Sequence, residues 1–193
     1  MNTRRTSLFA LLGGLALGMA MPLMAEDQPA PAPQPYDFRG FQPGMSLAEF
    51  KAMAPPVDHT AASSTPVCVR LVDPDDAQRS VLRCSWQHQT PDHRSVASVI
   101  TLGDIPTRAY SFVFFASRKG DEPRLQQIRL AMPSAARARA FRRLSEKFGQ
   151  PASTDVDDDL WTARWSNGVS SVCLQSSVAD ASTTVTYRLK PSC

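Results

Sequence analysis

The stretch VCVRLVDPDDAQRSVLRCSW, residues 67–86, sets Cys68 and Cys84 sixteen positions apart on two runs rich in β-branched and apolar residues. Between them lies DPDDAQR, an acidic, turn-like segment, and runs bounded this way read as the two arms of a hairpin. A hairpin centred on Asp76 puts Val72 opposite Ser80, Arg70 opposite Leu82 and Cys68 opposite Cys84. Directly opposed residues lie about 4.5–5.5 Å apart, within reach of a disulfide. In an oxidising compartment the pair is a structural staple, not a metal site or a catalytic thiol.

The N-terminus supplies that compartment. MNTRRTS carries two arginines and no acid, LFALLGGLALGMAM (residues 8–21) is unbroken apolar sequence, and PLMA offers a cut after Ala25. Charged head, short apolar middle and small terminal residue describe a signal peptide over residues 1–25. The apolar run stops at Pro22 and falls short of the roughly 20 residues that span a bilayer, so the mature chain carries no integral membrane segment. No cysteine precedes Cys68, so an N-terminal lipid has no acceptor. The expected location is a bacterial periplasm. Without Arg4 and Arg5 the 21 basic residues become 19 against 18 acidic ones, a formal charge of +1. A balance so close to neutral implies no nucleic-acid partner. QPAPAPQP (residues 28–35) favours polyproline II, an extended tether of roughly 25 Å. Residues 26–35 thus read as a linker, and 36–193 as one domain.

In GMSLAEFKAMAPP, Ser46 and Glu49 form a capping box, the apolar stripe runs through Leu47, Phe50 and Met53, and Pro55 ends the helix. After the stapled hairpin, SVASVITL (95–102), AYSFVFFA (109–116) and RLQQIRLA (124–131) are separated by GDIPT and SRKGDEP, turns too short for parallel crossovers. A second helix opens at Ser134, with Ala138, Phe141, Leu144 and Phe148 on one face, and stops at Gly149 before Pro151. An acidic loop, DVDDD (155–159), leads into LWTARWSNGVSSVCLQ. Its Asn167-Gly168 predicts a two-residue hairpin turn that pairs Trp161 with Leu174 and Ala163 with Val172. TTVTYRL (183–189) is the last strand. The fold class is α+β: two helices packed on an antiparallel sheet, in the order helix, five strands, helix, three-strand meander.

Four cysteines permit three connectivities. With the first pair assigned, Cys173 and Cys193 pair by elimination. A hairpin centred near Asp180 places Cys173 opposite Arg188, however, so the tail after Pro191 has to fold back.

FRGFQPGMSLAEFKAM resembles the Gly-Met-Ser/Thr-x-x-Glu-Val helix start of SmpA/OmlA-type outer-membrane assembly lipoproteins. LSEKFGQP followed by LWTARWSNG is similar to their Leu-Gly-x-Pro … Trp-x-Tyr passage and to that of periplasmic proteins with the β-lactamase-inhibitor-like fold. The resemblance covers about a quarter of the chain and implies helices on an antiparallel sheet, with binding or assembly roles and no catalysis. The chain departs from the lipoproteins in lacking the lipidated cysteine.

Other constellations weigh less. His88 and His93 flank Asp92, but in a polar turn. Asp155, Asp157 and Asp159 imitate a calcium loop, yet Leu160 stands where its glycine belongs and Ser166 where its glutamate belongs. No GxSxG is present. Catalytic, cofactor and metal residues are therefore not assigned, and the chain is read as a binding protein, not an enzyme. Arg139, Arg142, Arg143 and Lys147 make the second helix basic and are the candidate partner-binding residues, facing another protein of the cell envelope. The alternative is a carrier of a small apolar ligand or lipid, using Tyr110, Phe112 and Phe114.

Overall fold

A computed structural model describes residues 32–56, 64–72, 80–116, 118 and 120–189. The expected signal peptide, most of the expected linker, the DPDDAQR segment, His59 and Cys193 lie outside the described residues.

Ser46 caps the first helix, α1 (Leu47–Ala52), as its sequence predicts: its hydroxyl accepts from the Glu49 N–H while the Glu49 carboxylate accepts from the Ser46 N–H. The chain then forms β1 (Thr65–Val72) and β2 (Ser80–Gln89), paired with Cys68 opposite Cys84, Arg70 opposite Leu82 and Val72 opposite Ser80. The Cys68–Cys84 disulfide is formed, at 2.02 Å between sulfurs. Sequence and geometry agree residue for residue here.

The predicted strand over 95–102 is broken. Only β3 (Ser95–Ala97) pairs with β2, and β4 (Thr101–Leu102) with β5 (Ile105–Pro106) makes a separate two-stranded ribbon. The break sits at Ser98, a buried hydroxyl that bonds His88 Nδ1 at 3.1 Å and Ser64 Oγ at 2.8 Å while its N–H donates to the Trp86 carbonyl. Gly103, at φ +64°, then turns the ribbon so that Ile100, Leu102 and Ile105 are all buried.

Strands β6 (Ala109–Ala116) and β7 (Arg124–Pro133) follow, with a register shift between Val113 and Phe114 that leaves Leu125 opposite Phe114. One turn of 3₁₀ helix (Ser134–Ala136) leads into α2 (Arg137–Phe148), closed by Gly149 at φ +80°. Its buried positions are Ala140 and Leu144, flanked by half-buried Phe141 and Phe148; Ala138, expected on this face, is exposed.

The acidic segment expected as a loop is largely a strand, β8 (Ser153–Asp157), paired with β9 (Leu160–Ser166). It is an edge strand, where exposed charges oppose unwanted pairing at little cost. Strands β10 (Ser171–Ser177) and β11 (Ser182–Arg188) complete the sheet. The β9–β10 register is Ala163 opposite Leu174 and Trp165 opposite Val172, two residues from the predicted pairing. The turn holds four residues because Asn167 Oδ1 accepts from the N–H groups of Val169 and Ser170, and Asn167 N–H donates to the Ser170 carbonyl. A shift of two leaves side chains on their faces, and Ala163, Trp165, Val172 and Leu174 are all buried as expected. Likewise Cys173 faces Thr186, not Arg188. Cys173 is itself disulfide-bonded.

The main sheet runs β1-β2-β6-β7-β11-β10-β9-β8, with β3 beside β2. Instead of five strands and then three, each helix precedes an antiparallel meander contributing four strands to this path, and the meanders meet through their last strands, β7 and β11. Both helices cover one face. Phe50 of α1, fully buried, meets Phe112, Phe114, Trp86 and Phe41 with ring centroids 5.0–5.6 Å apart. Phe141 of α2 meets Trp161 and Trp165, and Phe148 meets Tyr187.

Phe50→Ala is expected to cost about 3–5 kcal/mol, since it empties the centre of four ring contacts; chemical denaturation of the mature chain measures it. Replacing Cys68 and Cys84 together with serine should cost about 3 kcal/mol by the loop it opens. Calorimetry should then show a melting temperature lower by roughly 6–12 °C.

Candidate functional site

A sheet with helices on one face leaves the other to be explained. The alternation of each strand assigns its residues: in β7, Ile128 and Leu130 are buried on the helix side, and Arg129 between them is exposed on the open side. By the same parity Arg83 of β2, Arg164 of β9 and Arg188 of β11 belong to the open face. In the ladder, Ser111, Arg129, Thr186, Cys173 and Arg164 form one row across five strands. Val69, Arg83, Val113, Gln127, Arg188 and Ser171 form the next. No Asp or Glu occurs in β1, β2, β6, β7, β9, β10 or β11, although the chain has 18 acids. Among the strands the acids of the open face stand at one margin, Asp155 and Asp157 on β8, and Asp180 of the β10–β11 turn adds one more.

On this face is a depression of about 240 Å³ whose lining includes Gln127, Arg129, Gln175, Thr184, Arg188 and, from the β10–β11 turn, Asp180. Its walls are mostly amides, hydroxyls and guanidinium groups, with the Asp180 carboxylate and the Leu160 side chain among them. Such a surface exchanges hydrogen bonds and charge with a polar partner and offers little to an apolar ligand.

The basic helix is arranged differently from its sequence. Arg143 Nε and an Nη donate to Asp104 Oδ1 at 3.2 and 3.1 Å, Arg139 lies 3.6 Å from the other oxygen, and Arg143 also bonds Glu146 at 3.1 Å. Lys147 Nζ donates to the carbonyl and carboxylate of Asp37 at 2.9 and 3.1 Å. Three of the four candidate partner-binding residues thus tie α2 to the β4–β5 ribbon and to the entering chain. Arg142 is exposed and makes no such pair among the described residues. The clamp on the entering chain continues with Tyr36, whose ring meets Phe148 at 4.5 Å and whose N–H donates to Ser170 Oγ.

These contacts set the carboxyl groups. Asp104 is held below its ordinary value of 3.8, first by its own backbone N–H and then by Arg143. Glu49 is lowered from 4.5 by the Ser46 N–H and hydroxyl. For Asp37 burial pushes upward, but the Gly40 N–H and Lys147 together bring it below 3.8.

The remaining candidates do not assemble. His88 is committed to Ser98, and Asp92 pairs with Arg94 at 2.8 Å and with Thr90. Among the described residues no three His, Cys, Asp or Glu side chains converge on a metal-sized site. Phe112 and Phe114 are fully buried among the core rings, and the Tyr110 hydroxyl donates to the Trp86 carbonyl at 2.8 Å; burial first of all raises this phenol to about 12. The rings expected to line an apolar pocket are packed on one another. The open-face arginines escaped the sequence reading; the signal for them was the single Arg between buried neighbours in Ile128-Arg129-Leu130 and Ala163-Arg164-Trp165.

Compared with protein-family models, with curated proteins and with solved structures, the chain matches none.

Lowered carboxyl values link stability to pH with a definite sign. Ionised Asp37, Asp104 and Glu49 contribute fully above the ordinary values of 3.8 and 4.5, and the contribution is lost as pH falls below them. The melting temperature should fall between pH 6 and pH 3, and the slope should flatten in an Asp37→Asn/Asp104→Asn variant. An unchanged slope in that variant rules these two clamps out as its source.

Proposed function

We propose that this chain is an exported, periplasmic, disulfide-bonded binding protein that acts by contact with another protein of the cell envelope, and that the open face of its sheet is the contact surface. The carrying observation is the face itself: eight strands wide, clear of both helices, with Val69 and Val113 toward β1–β6 and with Arg, Gln, Ser and Thr around a shallow depression toward β7–β10. The disulfide at Cys68–Cys84 supports export to an oxidising compartment. Among the described residues no helix is long and apolar enough to cross a membrane, in keeping with a mature chain that has no integral segment. The resemblance to the assembly lipoproteins and the β-lactamase-inhibitor-like fold belongs to this proposal, and what supports it is the packing of helices on one side of an antiparallel sheet.

The test is photocrosslinking in the envelope of cells that carry the full chain, with benzoylphenylalanine at Thr184 on the open face or at Arg142 on α2. Thr184 should give a discrete adduct of higher mass and Arg142 none. An adduct from Arg142 alone would move the contact to the basic helix, and none from either position would end the binding reading.

A further inference from the structure

Resting on that reading, we infer that the partner presents an acidic loop, whose carboxylates seat in the central depression against Arg129. Arg129 is exposed, and among the described residues its guanidinium makes no hydrogen bond and no ion pair. It stands between the buried positions Ile128 and Leu130 of β7, so its direction is set by the pleat. Around it, Gln127, Gln175, Thr184 and Thr186 add amide and hydroxyl donors. A planar guanidinium backed by neutral donors matches a carboxylate, which accepts two parallel N–H bonds.

Charge decides the sign of the partner. Seven of the eight strands in the main path carry no acid, and the one carboxylate that lines the depression, Asp180, stands in the β10–β11 turn, away from the strand that carries Arg129. Arg83 is likewise exposed, two strands away across β6, and two residues out of register through the row Arg83–Val113–Gln127. Strand spacing and rise put the two arginine backbones roughly 12 Å apart, a span that two acids on one loop can bridge. Asp155 and Asp157 on β8 repel the same loop and confine it to the β2–β7–β11 side.

Size argues for a side chain rather than a free metabolite. The depression of about 240 Å³ falls below the roughly 300–1,000 Å³ typical of small-molecule pockets. Its position on the face, away from both sheet edges, also excludes an added strand as the mode of contact.

The probe is a capped hexa-aspartate peptide titrated into the mature chain at low salt and followed by amide NMR, with capped hexa-asparagine and inorganic phosphate as comparisons. Hexa-aspartate should shift Gln127, Thr184 and Thr186, hexa-asparagine should not, and raising the salt should weaken binding. Arg129→Gln should weaken it at least tenfold and Arg83→Gln less, with circular dichroism of both variants unchanged. Shifts confined to α2, or an Arg129→Gln variant that binds as wild type, would overturn the proposal. So would phosphate competing at equal concentration, which would mark a small-anion site. If the Thr184 crosslink persists undiminished in Arg129→Gln, the contact reading stands and the acidic loop falls.

Discussion

The pairing of β7 with β11 holds the molecule together. Every other rung of the main sheet joins strands within one helix-and-meander half; this ladder joins the halves, setting Leu130 opposite Val185 and Ile128 opposite Tyr187. All four side chains are buried, so the junction is also the middle of the core. Because antiparallel partners directly opposed share a face, the junction forces both halves to bury the same side. The two helices, far apart in sequence, then have one surface to cover and cover it together. The uncovered face is the geometric consequence.

Charge is distributed to suit that division. Acids that meet basic residues within the fold lie on the helix side or in the connecting segments: Asp104 with Arg139 and Arg143, Asp37 with Lys147. Exposed pairs of this kind contribute little stability each, and their value here is positional. They fix the β4–β5 ribbon and the entering chain against α2, so that short elements with few ladder bonds keep one place. The basic helix is thereby largely absorbed into the architecture.

Legibility in the sequence followed the range of the interactions involved. The α1 cap and the Cys68–Cys84 register depend on residues close in the chain, and composition alone specifies them. The β9–β10 turn depends on a competition inside four residues, where the Asn167 side chain outbids the two-residue turn that Asn-Gly favours. Its error is invisible in the burial pattern, because a shift of two preserves parity. The break at Ser98 and the strand at 153–157 depend on partners distant in sequence, His88 and Ser64 for one, β9 as an available edge for the other. The open face was the least legible element. An arginine between two buried residues is ordinary in any strand, and only the strand order shows that several of them share one surface.

That surface also discriminates between modes of binding. A carrier of apolar molecules must keep apolar side chains from packing on one another, leaving a space that the ligand fills. Here the aromatic side chains have closed that space: Phe41, Phe50, Phe112 and Phe114 are each 0–1% exposed and in mutual contact. The residues left outward around the depression are mainly donors and charges, whose desolvation is offset only by well-matched polar groups. Contacts of this type draw specificity and association rate from electrostatics more than they draw affinity from buried area. The stapled β1–β2 hairpin stiffens one flank of the sheet that carries this face.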